Sequence, residues 1–356
     1  MLKFNTIPFL KLDKISILYL FIIIFIQIIK QDSILIENYY STLFYSFSSN
    51  ISLFIFGWLP FSFGEILILT LPIILWRFLK KDNTRKKNLK IVFQSVALLY
   101  ILFQFQWGLN YHRTPLDEKL SIKNKFELSS LIKTAKLFVE KTNNVHKKIS
   151  KSDTLPVELE YKINKKLFLE SLESVKRLKE NTNNNNNRPT ISVKKSFFST
   201  PLSYMGFSGY INPLTLEAQI NTNTPKLYLP TTICHEIAHQ IGYSAEDEAN
   251  FIGIMAAISS QNKFISYSGN IQALRYLLDE IYVIDKLKFD ALIIEINDGV
   301  IKDMEIADNQ LKKFKNPFEP YFKGFYDMFL KANNQKQGIR SYNMVVKLLV
   351  NYYSNQ

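Results

Sequence analysis

Two of the four histidines in the chain lie four residues apart, in the segment His235-Glu236-Ile237-Ala238-His239. Residues four apart share one face of an α-helix, so both imidazoles can reach one tetrahedral zinc ion. Glu236 points to one side of that face, where it can reach a water on the metal without binding the metal itself. The spacing predicts zinc ligands at His235 and His239 and a general base for hydrolysis at Glu236.

Two histidines buried in an ordinary core are the alternative explanation of the pair. Against it, Ile233, Ile237 and Ile241 form a separate stripe with a spacing of four residues, which suits burial of another side of the same helix. A zinc site needs a helix that is buried through one stripe and presents its histidines on another. The pattern therefore favours zinc.

A catalytic zinc site also needs a third protein ligand and one open position. Gly242 is placed to end the histidine helix, and a capping box at Ser244 to Asp247 predicts a second helix that runs to about Ser259. Glu246 shares a face of that helix with Asn250 and Gly253, whose small or polar side chains allow close approach to the histidines. We therefore expect Glu246 to be the third ligand, with Glu248 as the alternative. Asn250 is expected to hydrogen-bond a ligand histidine from behind.

The histidine motif and the Glu-Asp-Glu-Ala-Asn-Phe segment that begins at Glu246 together resemble the gluzincin type of zincin metallopeptidase. In that type, a glutamate from a following E-x-x-x-D/N helix joins the two histidines. The resemblance implies Zn²⁺ as cofactor and a peptide or protein as substrate. More narrowly, the same segments and the Trp-Gly-Leu-Asn-Tyr segment that begins at Trp107 resemble an uncharacterised bacterial family of three-span membrane proteins.

The resemblance also implies an edge strand that pairs with substrate and a side chain that stabilises the oxyanion. Residues 214–221 alternate in character and fit such an edge strand, although an ordinary structural strand fits them equally well. Tyr204, Tyr210 and Tyr243 lie nearby in sequence and are candidates for the oxyanion residue. The sequence does not choose among them.

Three apolar runs precede this region, at residues 15–29, 51–76 and 91–109. The first run is short for a hydrocarbon core of about 30 Å unless the flanking Lys14 and Lys30 reach outward. A cleaved signal peptide is its rival interpretation, but no small-residue cleavage site follows. Only Glu65 is charged in the second run, and the third run is uncharged. The pattern predicts three transmembrane helices within residues 1–110.

Basic residues between the second and third runs predict the orientation. Asp82 is the single acid among them. The basic residues are Arg77, Lys80, Lys81, Arg85, Lys86, Lys87 and Lys90. Positive-inside bias places this loop and the N-terminus, with Lys3 and Lys11, in the cytoplasm. The remainder is then expected outside the cytoplasmic face of a bacterial inner membrane that the chain crosses several times.

The predicted fold is an α-rich membrane protein in which an α+β, zincin-like soluble domain at residues 111–356 follows the three spans. Amphipathic helices are expected at residues 126–148 and 157–180, an exposed asparagine loop at 181–187, and short strands at 191–193 and 214–221. A further amphipathic helix at 341–350 is expected to lie in the core.

The charge pattern and the cysteine content exclude two interpretations of the chain. The formal net charge is +13, but the chain has no zinc ribbon, phosphate loop or arginine-dense stripe, so nucleic acid is not an expected partner. The single cysteine, Cys234, excludes an intrachain disulfide framework.

The predicted function is a membrane-anchored zinc peptidase whose partners are its substrate and the lipid bilayer. The alternative is a non-catalytic zinc-binding scaffold of the cell envelope. Such a scaffold would need a fourth zinc ligand, and no motif near His112 or His146 marks either histidine as that ligand.

Overall fold

The computed structural model describes residues 13–81, 84–122, 125–180, 192–338 and 344–354. The predicted loop at residues 181–187 lies outside these ranges, as do Lys3 and Lys11. The helices are α1 (Lys14–Ile29), α2 (Ser33–Leu35), α3 (Tyr45–Phe56), α4 (Phe63–Lys81), α5 (Arg85–Gln106), α6 (Leu116–Lys119), α7 (Leu128–Ser150), α8 (Lys165–Glu180), α9 (Ser199–Met205), α10 (Leu229–Gln240), α11 (Glu246–Ile258), α12 (Lys263–Ile284), α13 (Lys286–Ile294), α14 (Asp298–Lys312), α15 (Glu319–Ala332) and α16 (Val345–Ser354). The strands are β1 (Val193–Lys195), β2 (Gly209–Ile211) and β3 (Ala218–Ile220).

The N-terminal helices differ from the predicted three spans. Among the described residues, α5 alone is a single helix long and apolar enough to cross a membrane. Helix α1 and the helical segment Ser33–Phe56, which joins α2 to α3 through π-helical turns, meet that standard only as a pair bent by 101°. The prediction of three N-terminal transmembrane helices is therefore wrong. The described residues include one helix that could cross a membrane, and a second span only if the two halves of the bent pair together form one.

Length and charge explain the difference. Helix α1 has 16 residues, which at about 1.5 Å per residue span about 24 Å, short of a hydrocarbon core of about 30 Å. Helix α4 has 19 residues, but Glu65 near its start and Arg77 and Lys80 near its end interrupt its apolar character.

The sheet is small. Three strands of three residues each lie in the order β1-β3-β2, with β1 parallel and β2 antiparallel to β3. Nearly all the remaining regular structure after residue 111 is helical, so the prediction of an α+β zincin-like domain is also wrong. The strand predicted at residues 214–221 is shortened because Leu216 adopts a left-handed conformation with φ 56° and its N–H donates to the Asn212 carbonyl.

Helices α7, α8, α10, α11, α12 and α16 surround the main core. The predicted stripe of Ile233, Ile237 and Ile241 is buried in it, as expected. Helix α7 matches the helix predicted at residues 126–148, whereas α8 begins eight residues later than predicted. Helix α16 is buried along Val345 to Val350, as predicted for the core, although residues 341–343 lie outside the described ranges.

Buried polar contacts join the N-terminal helices to the sheet. Lys194 of β1 and Glu217 form a buried ion pair of 2.8 Å, and Glu217 also accepts a 2.7 Å hydrogen bond from the Gly64 backbone N–H at the start of α4. The Tyr45 hydroxyl of α3 donates to the Gln240 carbonyl at the end of α10 over 2.9 Å. These contacts fix α3 and α4 relative to the histidine helix.

Candidate metal centre

Helix α10 presents His235 and His239 side by side. Their ring centroids lie 4.5 Å apart, with the ring planes at 83° to each other. Oε2 of Glu246, in the first turn of α11, lies 3.4 Å from His235 Nε2 and 3.6 Å from His239 Nε2. One ligand atom from each of the three residues lies within 4.8 Å of the others. The three side chains therefore point at one common position.

Two glycines allow α10 and α11 to bring these residues together. Gly242 has φ 96°, a left-handed conformation that ends α10 and turns the chain, as the sequence predicted. Gly253 of α11 lies against the histidine helix, where an added Cβ would come within 2.8 Å of the His235 backbone nitrogen. Only a residue without a side chain permits this approach.

The orientation of His239 is fixed from behind. Its Nδ1 donates to the Tyr243 carbonyl over 2.7 Å, which leaves Nε2 directed at Glu246. The indole ring of Trp107, from the turn after α5, lies edge-on at 6.0 Å from the imidazole. A backbone carbonyl behind an imidazole is a common arrangement at metal sites, because it fixes the tautomer that offers Nε2 to the metal.

The orientation of Glu246 is fixed by α15. The Tyr326 hydroxyl donates a 2.5 Å hydrogen bond to Glu246 Oε1, so that Oε2 is the oxygen facing the histidines. Within the described structure, Oε2 is buried and accepts no hydrogen bond. A buried carboxylate oxygen without a hydrogen bond is costly, and a cation at the common position would coordinate it.

Glu236 occupies a buried position beside the cluster. Its Oε2 has no hydrogen-bond partner among the described residues, and burial raises the pKa of its carboxyl group despite the opposing effect of the two histidines. Gly209 of β2 leaves room for the carboxylate, since a Cβ there would lie 2.6 Å from Glu236 Oε1 and 2.9 Å from the Gln219 carbonyl. The carboxylate is thus close to the histidines but is not held by a structural contact.

The charges within the cluster are tightly linked. Burial disfavours the imidazolium form of His239, but the negative charge of Glu246 outweighs burial and raises the pKa of His239 to about 9. Burial likewise opposes ionisation of Glu246, yet His239 and His235 lower the pKa of Glu246 well below its usual value. In the absence of metal, a proton on His239 therefore balances the buried carboxylate near neutral pH.

The donor set and its spacing fit zinc. Tetrahedral zinc with ligand distances of about 2.1 Å places neighbouring ligand atoms about 3.4 Å apart. The measured separations of 3.4 and 3.6 Å between Glu246 Oε2 and the two histidine nitrogens match that value. Two imidazoles and one carboxylate are also a ligand set typical of catalytic zinc.

The alternative ligand Glu248 faces away from the histidines. Its Oε1 accepts a 2.6 Å hydrogen bond from the Leu116 backbone N–H. The positive charges of Arg113 and Lys119 favour the ionised form of its carboxyl group. The expected hydrogen bond from Asn250 to a ligand histidine is not formed: the Tyr243 carbonyl is the partner of His239, and His235 Nδ1 is buried without a hydrogen-bond partner among the described residues. The Asn250 Nδ2 is buried and lacks a partner within the described ranges.

The cluster lies in a cavity of about 890 Å³. His235, Glu236 and Glu246 contribute to its wall, together with all three residues of β2. Apolar side chains from several helices complete much of the lining. They include Ile68 of α4, Phe103 of α5, and Met205 at the end of α9. The volume is within the usual range for a small-molecule or peptide site.

The comparisons with known proteins give a family and no activity. The family model described as "Protein of unknown function (DUF3810)" matches residues 40–350. The chain belongs to this family. The matched region holds the complete histidine and glutamate cluster and α15. No curated protein and no solved structure matches the chain.

The three tyrosines that the sequence offered as oxyanion-stabilising residues make other contacts. The Tyr210 hydroxyl donates to Glu65 over 2.9 Å, the Tyr243 ring lies 4.7 Å from the Arg113 guanidinium, and the half-exposed Tyr204 ring packs on Phe314.

The tyrosine that does reach the cluster, Tyr326, lies 80 residues beyond Glu246 and has no local motif around it. Sequence reasoning missed it for that reason. The weak signal that was available is the amphipathic spacing of the segment that forms α15.

Proposed function

We propose that the chain is a zinc-dependent peptidase that hydrolyses peptide bonds in the cavity beside α10. The observation that carries the proposal is the convergence of His235, His239 and Glu246 on one position next to the buried, unpartnered carboxylate of Glu236. Three ligands leave one coordination position for substrate, as catalytic sites require.

His235, His239 and Glu246 would hold the ion, and Glu236 would carry the proton. When bound, zinc supplies Lewis acidity toward the scissile carbonyl and the attacking water. Glu236 Oε2 accepts a proton from that water and returns it to the leaving amine. The raised pKa of Glu236 suits this exchange, because a base works best when its pKa approaches the working pH.

Strand β2 is well placed to align an extended substrate. Among the described residues it pairs with β3 along one side only, lines the cavity, and lies next to Glu236 through Gly209. A peptide added to this free edge would gain backbone hydrogen bonds. This corrects the expectation for residues 214–221, because β3 within them is the central strand of the sheet.

A scaffold function for the same metal is less well supported. A closed structural site needs four protein ligands, and the described residues supply three to this cluster. His146 is engaged elsewhere, where its Nε2 lies 3.0 Å from the Leu155 carbonyl. The free carboxylate of Glu236 also has no structural purpose in a closed site.

Membrane attachment through α5 is part of the proposal. Of the 18 residues in its most apolar window only 11% are buried, so most of this apolar surface needs lipid or another partner. The basic residues at the end of α4 and the start of α5 favour a cytoplasmic location for the N-terminal end of α5. The metal centre then lies on the opposite side of the bacterial inner membrane, where its substrates are exported or envelope polypeptides.

Peptide hydrolysis by the full-length protein in detergent tests this function. The protein would be stripped of metal, reloaded with zinc, and incubated with a fluorescence-quenched peptide library. We expect hydrolysis that needs zinc and that falls by about 10²- to 10⁴-fold in Glu236→Gln, whose zinc content stays unchanged. The surface substitution Glu140→Gln serves as the control. Equal hydrolysis by wild type and Glu236→Gln would exclude this site as its source.

A further inference from the structure

Helix α15 carries an exposed apolar face that the metal centre does not explain. Phe318, just before the helix, and Tyr321, Phe325 and Met328 are 58 to 71% exposed. They recur every three or four residues, so they line one side of the helix. Monomeric soluble proteins rarely expose several large apolar side chains in one continuous stripe.

A second side of α15 carries charged residues. Glu319 pairs with Lys323 over 2.5 Å, and Asp327 pairs with Lys331 over 2.7 Å, each one helical turn apart. Three further lysines precede the helix. They are Lys312, Lys313 and Lys315. An aromatic face, a charged face and adjacent lysines are the features of a helix that lies in the surface of an anionic bilayer.

The apolar face continues into the outer end of α5. The Phe329 ring lies 6.0 Å from the Phe103 ring and 6.3 Å from the Tyr111 ring. Phe103 is in the last turn of α5, at the end away from the basic residues. If α5 crosses the membrane, α15 lies at the level of the outer headgroups. This position favours lipid over another protein as the occupant of the face.

We propose that α15 is an interfacial helix whose aromatic face lies in the outer leaflet of the bilayer. The inference rests on the proposed membrane location of α5 and is independent of the zinc chemistry. Because Tyr326 of the same helix bonds Glu246, the helix that contacts lipid is also the helix that positions the third metal ligand. The cavity then lies at the membrane surface, where it takes polypeptide segments that are close to lipid.

Site-directed spin labelling of the full-length chain tests the proposal. Single cysteines would be introduced as Phe325→Cys on the apolar face, Lys331→Cys on the charged face, and Val96→Cys on the exposed side of α5. The native Cys234 is fully buried and does not take up the label. The labelled proteins would be reconstituted in vesicles of phosphatidylethanolamine and phosphatidylglycerol. Met328→Cys is a second probe of the apolar face, in case one variant folds poorly.

Collisions of the label with oxygen and with a water-soluble nickel chelate report its depth in the bilayer. We expect labels at positions 325, 328 and 96 to favour oxygen, and the label at 331 to favour the nickel chelate. Nickel accessibility at 325 and 328 equal to that at 331, with 96 in lipid, would overturn the inference alone. Nickel accessibility at 96 as well would overturn the membrane location. Low accessibility to both reagents at 325, with broadening between labels, would show that a second copy covers the face and would also overturn the inference.

Discussion

The Tyr326 hydroxyl donates a 2.5 Å hydrogen bond to Oε1 of Glu246 and so turns Oε2 of that carboxylate toward the two histidines. The two residues are 80 positions apart in the chain and come from α15 and α11. The contact links a half-exposed amphipathic helix to the most buried part of the metal centre. It therefore orients the carboxylate that is proposed as the third metal ligand.

Loss of this hydroxyl should weaken metal binding. Tyr326→Phe keeps the ring that packs on Phe207 but leaves Glu246 free to rotate. We expect zinc affinity to fall by about 10- to 100-fold, as for other residues that orient a metal ligand. Competition with a fluorescent zinc chelator measures the change. Tyr321→Phe, on the exposed side of the same helix, is the control, and an equal loss in both variants would refute the role of the hydroxyl.

The two glutamates of α11 should separate cleanly in a metal-binding assay. Glu246→Gln replaces an anionic oxygen that faces the histidines, so zinc retention should be lost or greatly reduced. Glu248→Gln keeps a carbonyl that can accept from the Leu116 N–H, so zinc should be retained. Dialysis followed by metal analysis decides between them. Retention in Glu246→Gln together with loss in Glu248→Gln would reverse the assignment.

Zinc binding should release a proton below about pH 9. His239 has a pKa of about 9 in the metal-free protein because Glu246 favours its charged form, and its proton must leave before the nitrogen can bind metal. Apparent zinc affinity should therefore rise with pH by up to about tenfold per unit until the pH approaches 9, and then level off.

Calorimetry at about pH 8, in buffers that differ in ionisation enthalpy, counts the released protons. We expect a release close to one proton from His239. Affinity that is independent of pH between about 6 and 8 would contradict the pairing of His239 with Glu246.

The close packing of α10 on α11 should make Gly253 intolerant of a side chain. A Cβ there would lie 2.8 Å from the His235 nitrogen and 2.9 Å from its Cα, so the two helices would have to separate. We expect Gly253→Ala to lower the free energy of unfolding by about 1 to 3 kcal/mol and to weaken zinc binding.

Gly324→Ala is the matched control, because a Cβ there meets nothing within 4 Å among the described residues. It should be neutral or should stabilise α15 by up to about 1 kcal/mol. Chemical unfolding in detergent, followed by circular dichroism, compares the two. An unchanged stability of Gly253→Ala would show that the helices are not in contact at this point.

The parts of the centre that the sequence predicted are local. A spacing of four residues puts His235 and His239 on one face of a helix, and the left-handed turn at Gly242 brings Glu246 back toward them after only seven residues. The first relationship follows from helix geometry alone, whereas the choice of Glu246 over Glu248 depends on the turn at Gly242. Their role as zinc ligands remains a proposal.

The parts that were missed depend on contacts between distant segments. Tyr326, Trp107 and Gly209 reach the centre from α15, from the turn after α5 and from β2, and no local pattern marks them. The sequence allowed either an edge strand or an ordinary structural strand at residues 214–221; β3 is the central strand, shortened because Leu216 takes a left-handed conformation that alternation of residue types does not reveal. Apolar composition predicts too many spans because it does not reveal the break after α1, and the charges of α4 interrupt its apolar run.

Metal analysis of the purified full-length protein tests the central claim most directly. Zinc per chain would be measured by mass spectrometry for the wild type and for the double variant His235→Asn/His239→Asn, after both are shown to fold. The account predicts one zinc per wild-type chain and none in the double variant. A folded wild type that binds no zinc when zinc is supplied, or a double variant that keeps it, would contradict the account.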